Sequence, residues 1–142
     1  AGKGPANGRP LAGDLVFRYF GVEAEGNNSG LLDTAAALAL AARALGQPRW
    51  AAYGQKQLEW VLGFNPFDAS MLTGLGYNHP TPFSFYVGQI PGGIINGFKG
   101  DGNDNPVLCL NREMEAMLME YWSVHTAAML RALAVLENEP LS

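Results

Sequence analysis

Acid–base chemistry needs a carboxyl group whose surroundings hold its proton to a higher pH than water would, and aromatic neighbours are one way to provide such surroundings. Glu120, followed directly by Tyr121 and Trp122, is the carboxylate of this chain best placed for that role. The same position also suits an ordinary solvated helix glutamate of the kind expected at Glu113 and Glu115. His79, between Asn78 and Pro80, has the donor and acceptor atoms to grip a ligand hydroxyl, or to close a turn on backbone. His125 falls on an apolar stripe and reads as a core histidine with its polar atoms satisfied. Tyr77 and Tyr86 sit among loop residues, where an aromatic face is available to a ligand ring; Trp50, Trp60 and Trp122 recur at helical spacing and suit a core. Asp101, Asn103 and Asp104, within the run Gly100 to Asn105, offer several oxygens of the kind calcium takes. That run lacks the spacing and terminal glutamate of an EF-hand, so calcium is a possible cofactor there beside the reading as successive Asx turns.

Positioning these groups falls to three helices and long loops. From Asn28 or Ser29 as N-cap, Leu31, Ala35, Leu38, Ala42 and Leu45 recur at helical spacing, and Gly46 closes the helix. Pro48 opens a second helix whose stripe is Ala51, Gly54, Leu58, Val61 and Leu62, ending at Gly63. So short a connection makes the pair an antiparallel hairpin, and Ala35, Ala39, Ala42, Ala51 and Gly54 let the two helices approach closely. A last helix is expected from about Arg112 to Glu137 on the stripe Met114, Leu118, Tyr121, Trp122, His125, Met129, Ala132 and Leu136. Between the hairpin and that helix, glycines and prolines alternate with Phe83, Phe85, Tyr86, Val87, Ile90, Ile94, Ile95 and Phe98, the mixture of ordered, partly buried loops. Residues 1–29 read as an irregular segment with one short anchored element, a candidate strand, around Leu15 to Phe20.

The run Gln57, Trp60, Leu62, Gly63, Asn65, Pro66, continuing with Ser70, Leu72, Thr73, Gly76 and Asn78, resembles the C-terminal third of glycoside hydrolase family 9 modules, cellulase-type inverting enzymes. The resemblance spans nearly all of this chain but only that last third of a module. It implies an all-α fold forming part of an (α/α)6 toroid, with a helical hairpin, long ordered loops at the site end and a C-terminal helix. Residues 1–142 would then be the C-terminal portion of such a barrel domain, with the remaining helices supplied in cis or by another chain. It further implies a β-glucan or related oligo- or polysaccharide as substrate, a secreted or periplasmic location, and Glu120 as general acid when MEYWSVHTAA is laid on the family's closing motif. Tyr77, His79 and Tyr86 would contact the glycan.

Inversion needs a second carboxylate to activate water, roughly 6.5–9.5 Å from the acid. In the family it belongs to an N-terminal aspartate pair followed by tyrosine; Asp14, Asp33 and Asp68 have no such context, so this chain alone is not expected to be a complete enzyme. Other positions depart as well. Asn111 stands where the family has an aspartate nine residues before the acid, and Cys109 where it has an aromatic. Trp122 and Thr126 replace a small residue and an asparagine, although Ala127 fits, and Ser84 and Tyr86 replace the histidine and arginine that grip the sugar. These changes keep open a second class, a non-catalytic glycan-binding or structural relative.

Composition bounds the rest. With 142 residues, 48% of them hydrophobic, the chain has enough material for one domain with a real core. A net charge of −4 leaves no basic footprint for nucleic acid, and no run of about 18 apolar residues exists to span a membrane. Cys109 is the single cysteine, which excludes an internal disulfide. The opening AGKGPANGRP has no signal-peptide form, although a chain that begins so could be a processed or excised piece.

Overall fold

The computed structural model describes residues 9–10, 16–17, 26–79, 81, 89–100, 105–108 and 116–137. They are mainly helical. In chain order the elements are β1 (Arg9–Pro10), β2 (Val16–Phe17), α1 (Asn28–Leu45), α2 (Arg49–Leu62), β3 (Lys99–Gly100), β4 (Pro106–Val107), α3 (Ala116–Met119) and α4 (Ser123–Leu136). The strands form two small antiparallel pairs, Arg9 opposite Phe17 and Lys99 opposite Val107. The short element expected between Leu15 and Phe20 is β2.

The hairpin follows its sequence signals. Gly46 adopts the left-handed conformation (φ 61°) in which glycine has no Cβ penalty, and the amides of Gly46 and Gln47 return to the carbonyls of Arg43 and Ala42. After Pro48 the chain turns back as α2. The small residue at position 54 is required: a Cβ there would stand 2.8 Å from the carbonyl oxygen of Ala35. α4 packs on α1 as well, burying His125, Ala128, Met129 and Ala132.

Ile94 to Phe98 form a spine between the helices. On one side Asn27 N donates to Phe98 O (2.9 Å) and Asn28 N to Asn96 O (3.0 Å); on the other Asn96 N donates to Glu120 O (3.0 Å) and Gly97 N to Leu118 O (2.9 Å). Ile95 N reaches Met71 O (3.1 Å), so the loop after α2 joins the same junction. Phe98, Ile95, Met71, Leu118 and Met119 are buried there against Leu32 and Val61, and the Trp60 and Phe98 rings lie 5.2 Å apart. The core is therefore built by the loops together with the helices.

Two expectations are corrected. Helix α1 is preceded by Asn27 as N-cap, not Asn28 or Ser29, and Asn27 makes no side-chain cap bond. The two asparagine side chains reach the spine instead, Asn27 Nδ2 to Phe98 O (2.8 Å) and Asn28 Nδ2 to Ile95 O (2.9 Å). The last helix is not continuous either. It breaks at Glu120, Tyr121 and Trp122, between α3 and α4, and residues 109–115 lie outside the described part. The reason is a competition for carbonyls: Met117 O accepts from Gly26 N and Asn96 Nδ2, Leu118 O from Gly97 N and Glu120 O from Asn96 N, in place of the amides four residues on.

Candidate functional site

Helix α2 ends where the loop of interest begins. Gly63 leaves the helix at φ 124°, and Asn65 then organises the turn with its side chain: Nδ2 donates to Trp60 O (2.7 Å) and Ala69 O (2.8 Å), while Oδ1 accepts from Phe67 N (3.1 Å). Asn78 closes it from the far end, with Nδ2 donating to Asp68 O (3.0 Å) and its carbonyl accepting from Ser70 N (2.9 Å). Asn65, Ser70 and Asn78 thus hold the loop's shape. Thr73 is tied to the helix break, because the Tyr121 hydroxyl donates to Thr73 Oγ1 (2.8 Å) and accepts from Ile90 N (3.1 Å).

The loop encloses an open cavity of about 170 Å³ with Phe64, Asp68, Ser70, Tyr77 and Asn78 among its lining. Phe64 and Tyr77 are 81% and 83% exposed and both line the same cavity. Asp68 adopts a left-handed conformation (φ 49°), and its Oδ2 accepts the Tyr77 hydroxyl. That conformation is sparsely populated for non-glycine residues, although aspartate and asparagine enter it more readily than most. Phe64 and Asp68 were not identified as site residues from the sequence. Their available signal is charge: from Gln57 to Phe98 the chain has no lysine or arginine, so Asp68 stands in a stretch without a balancing cation.

Glu120 occupies the break and not a helix interior, and it is half-buried. Trp122 Nε1 donates to its Oε2 at 2.7 Å, which orients the carboxylate. It is not among the residues lining the cavity. Of the other expected contacts, Tyr77 is at the cavity, and His79 is half-buried just beyond Asn78. Tyr86, Ser84 and the oxygen-rich Asp101, Asn103 and Asp104 lie outside the described residues, as do Cys109, Asn111, Glu113 and Glu115. Among the described residues no group of three or more histidines, cysteines or carboxylates could hold a metal ion. His125 is buried with its ring edge-on to Trp122, centroids 6.1 Å apart, in keeping with a core position.

No protein-family model matches the chain, and no curated protein matches it either. Among the described residues no helix is long and apolar enough to cross a membrane.

Proposed function

We propose that this chain is the C-terminal portion of an (α/α)6 barrel of the family 9 glycoside hydrolase kind, acting on a β-glucan or related glycan by inversion and supplying Glu120 as the general acid. The observation that carries the reading is the interrupted helix at Glu120, where the carboxylate is oriented by the Trp122 indole. A general acid must be held in a fixed orientation toward the leaving oxygen, and a rigid break in a packed helix is a means of doing so. The activating base belongs to the barrel's remaining helices.

Support for missing helices comes from α4. Away from its buried stripe it exposes Ala127, Leu130 and Leu133 beside Ser123, Thr126 and Arg131, with Leu130 64% exposed. An apolar patch exposed beside polar residues is a surface that a packed neighbour can cover. The test is the Glu120→Gln substitution in the assembled barrel, assayed on one glycoside with a poor leaving group and one whose leaving group needs no protonation. The first rate should collapse and the second should hold; equal, small effects on both would remove Glu120 from the mechanism.

The exposed Phe64 and Tyr77 favour a second reading, a glycan-binding relative without catalysis. In that case saccharide binds the chain, and the Glu120→Gln substitution changes neither binding nor any hydrolysis.

A further inference from the structure

The cavity below α2 has a composition more specific than a general sugar contact. Its lining includes two aromatic side chains that stand almost fully in solvent, Phe64 and Tyr77, and one carboxylate, Asp68, whose Oδ2 is taken by Tyr77 and whose Oδ1 takes no hydrogen bond among the described residues. Among the described residues no lysine or arginine lines the cavity, and none occurs anywhere from Gln57 to Phe98. An exposed carboxylate beside aromatic side chains, with no lysine or arginine of the described lining to pair with it, can receive an ammonium group, which gains both the ion pair and the attraction of the ring quadrupoles. The volume, about 170 Å³, suits one six-membered ring; a cavity of about 150 Å³ in another protein takes up benzene.

We infer that this cavity receives the ammonium-bearing ring of an amino sugar, with Asp68 Oδ1 as its charge partner and Phe64 and Tyr77 as its ring contacts. The inference rests on the glycan reading above and narrows it to glycans that carry a free amine. Neutral sugars lack the positive charge to use the carboxylate in this way, although their apolar ring faces can still stack on Phe64 and Tyr77. Asp68→Asn separates the two contributions. Asparagine enters the left-handed region readily and retains the side-chain oxygen, so the turn is kept while the charge is lost.

The experiment is a titration of the chain with a fully deacetylated glucosamine trisaccharide, at mildly acidic pH where its amines are charged, and in parallel with cellotriose. Amide NMR shifts at Gly76, Tyr77 and Asn78 report the site. The amino trisaccharide should bind roughly tenfold or more tighter than cellotriose, the worth of a charge-assisted hydrogen bond, and added salt should narrow the gap. Asp68→Asn should abolish the preference while preserving the weaker binding common to both. Equal affinity for both saccharides would overturn the inference and leave the glycan reading standing. A preference unaffected by Asp68→Asn would place the amine elsewhere and overturn it as well. Absence of binding by either saccharide would remove the inference and the glycan-binding reading together.

Discussion

At Glu120 the side chain and the backbone do different work: the carbonyl accepts Asn96 N within the core junction, while Oε2 accepts the Trp122 indole. Replacing the side chain therefore leaves the junction in place. On the proposed reading, Glu120→Gln in the assembled barrel should lower the rate on a poor leaving group by roughly 10²–10⁴, the usual worth of positioned acid catalysis, with thermal stability nearly unchanged. Steady-state rates on the two leaving groups, beside a melting curve, check both halves of that expectation. Tyr121, one residue on, has the opposite character. Its hydroxyl serves Thr73 Oγ1 and Ile90 N at once, and Thr73 is buried. Tyr121→Phe should cost about 1–3 kcal/mol, the range for buried polar groups that lose a partner. Urea denaturation measures the loss, and faster hydrogen exchange at the Ile90 amide would locate it.

Among the elements, the hairpin depends on close approach and the last helix on cross-chain bonds. Gly54→Ala adds a methyl that would meet the Ala35 carbonyl at 2.8 Å, forcing α1 and α2 apart. Overpacking costs about 1–3 kcal/mol, while replacing a helical glycine by alanine returns about 1 kcal/mol. The expected net is a loss of about 1 kcal/mol, read as a lower denaturant midpoint; a gain in stability would show that the helices are not in contact at this point. Gly97 is held more tightly. Its φ of 113° is strained for any L side chain, and a Cβ would stand 2.6 Å from the Asn28 amide. Gly97→Ala should cost about 1–3 kcal/mol from backbone strain alone. Because the spine joins the start of α1 to α3, exchange protection should fall at Asn27, Asn28 and Gly97 together.

For the whole molecule, the outward face of α4 decides between a self-sufficient fold and a part of a larger barrel. Leu130→Lys changes a residue that is 64% exposed, and surface substitutions of this kind usually stay within about 0.5 kcal/mol. The isolated chain should accordingly keep its denaturation midpoint. On the proposed reading, association with the remaining barrel helices should fail, and sedimentation of the two parts, mixed with and without the substitution, measures it. Normal assembly of the Lys variant would show that this face is solvent in the complete protein.

What the sequence determined by itself is the local part of this molecule. Gly46, Pro48 and Gly63 end and begin helices through their own backbone preferences, so the hairpin and its boundaries were legible within a residue or two. The N-cap was misplaced because asparagines 27 and 28 turn their amides to carbonyls some 70 positions away, which no local pattern reveals. The break at Glu120 was hidden for the same reason: a stripe from Met114 to Leu136 has one spacing whether or not the helix is interrupted. Only the tertiary structure, by bringing the amides of Gly26, Asn96 and Gly97 to the carbonyls of Met117, Leu118 and Glu120, decides that the helix stops there. The cavity was half legible. Glycines at positions 74 and 76 announce a tight loop, but which aromatic groups are left exposed, and that Tyr77 meets Asp68, depend on what the core has room to bury. Backbone preference acts over a few residues and can be read from them; hydrogen bonds and burial between distant segments exist only once the chain has folded.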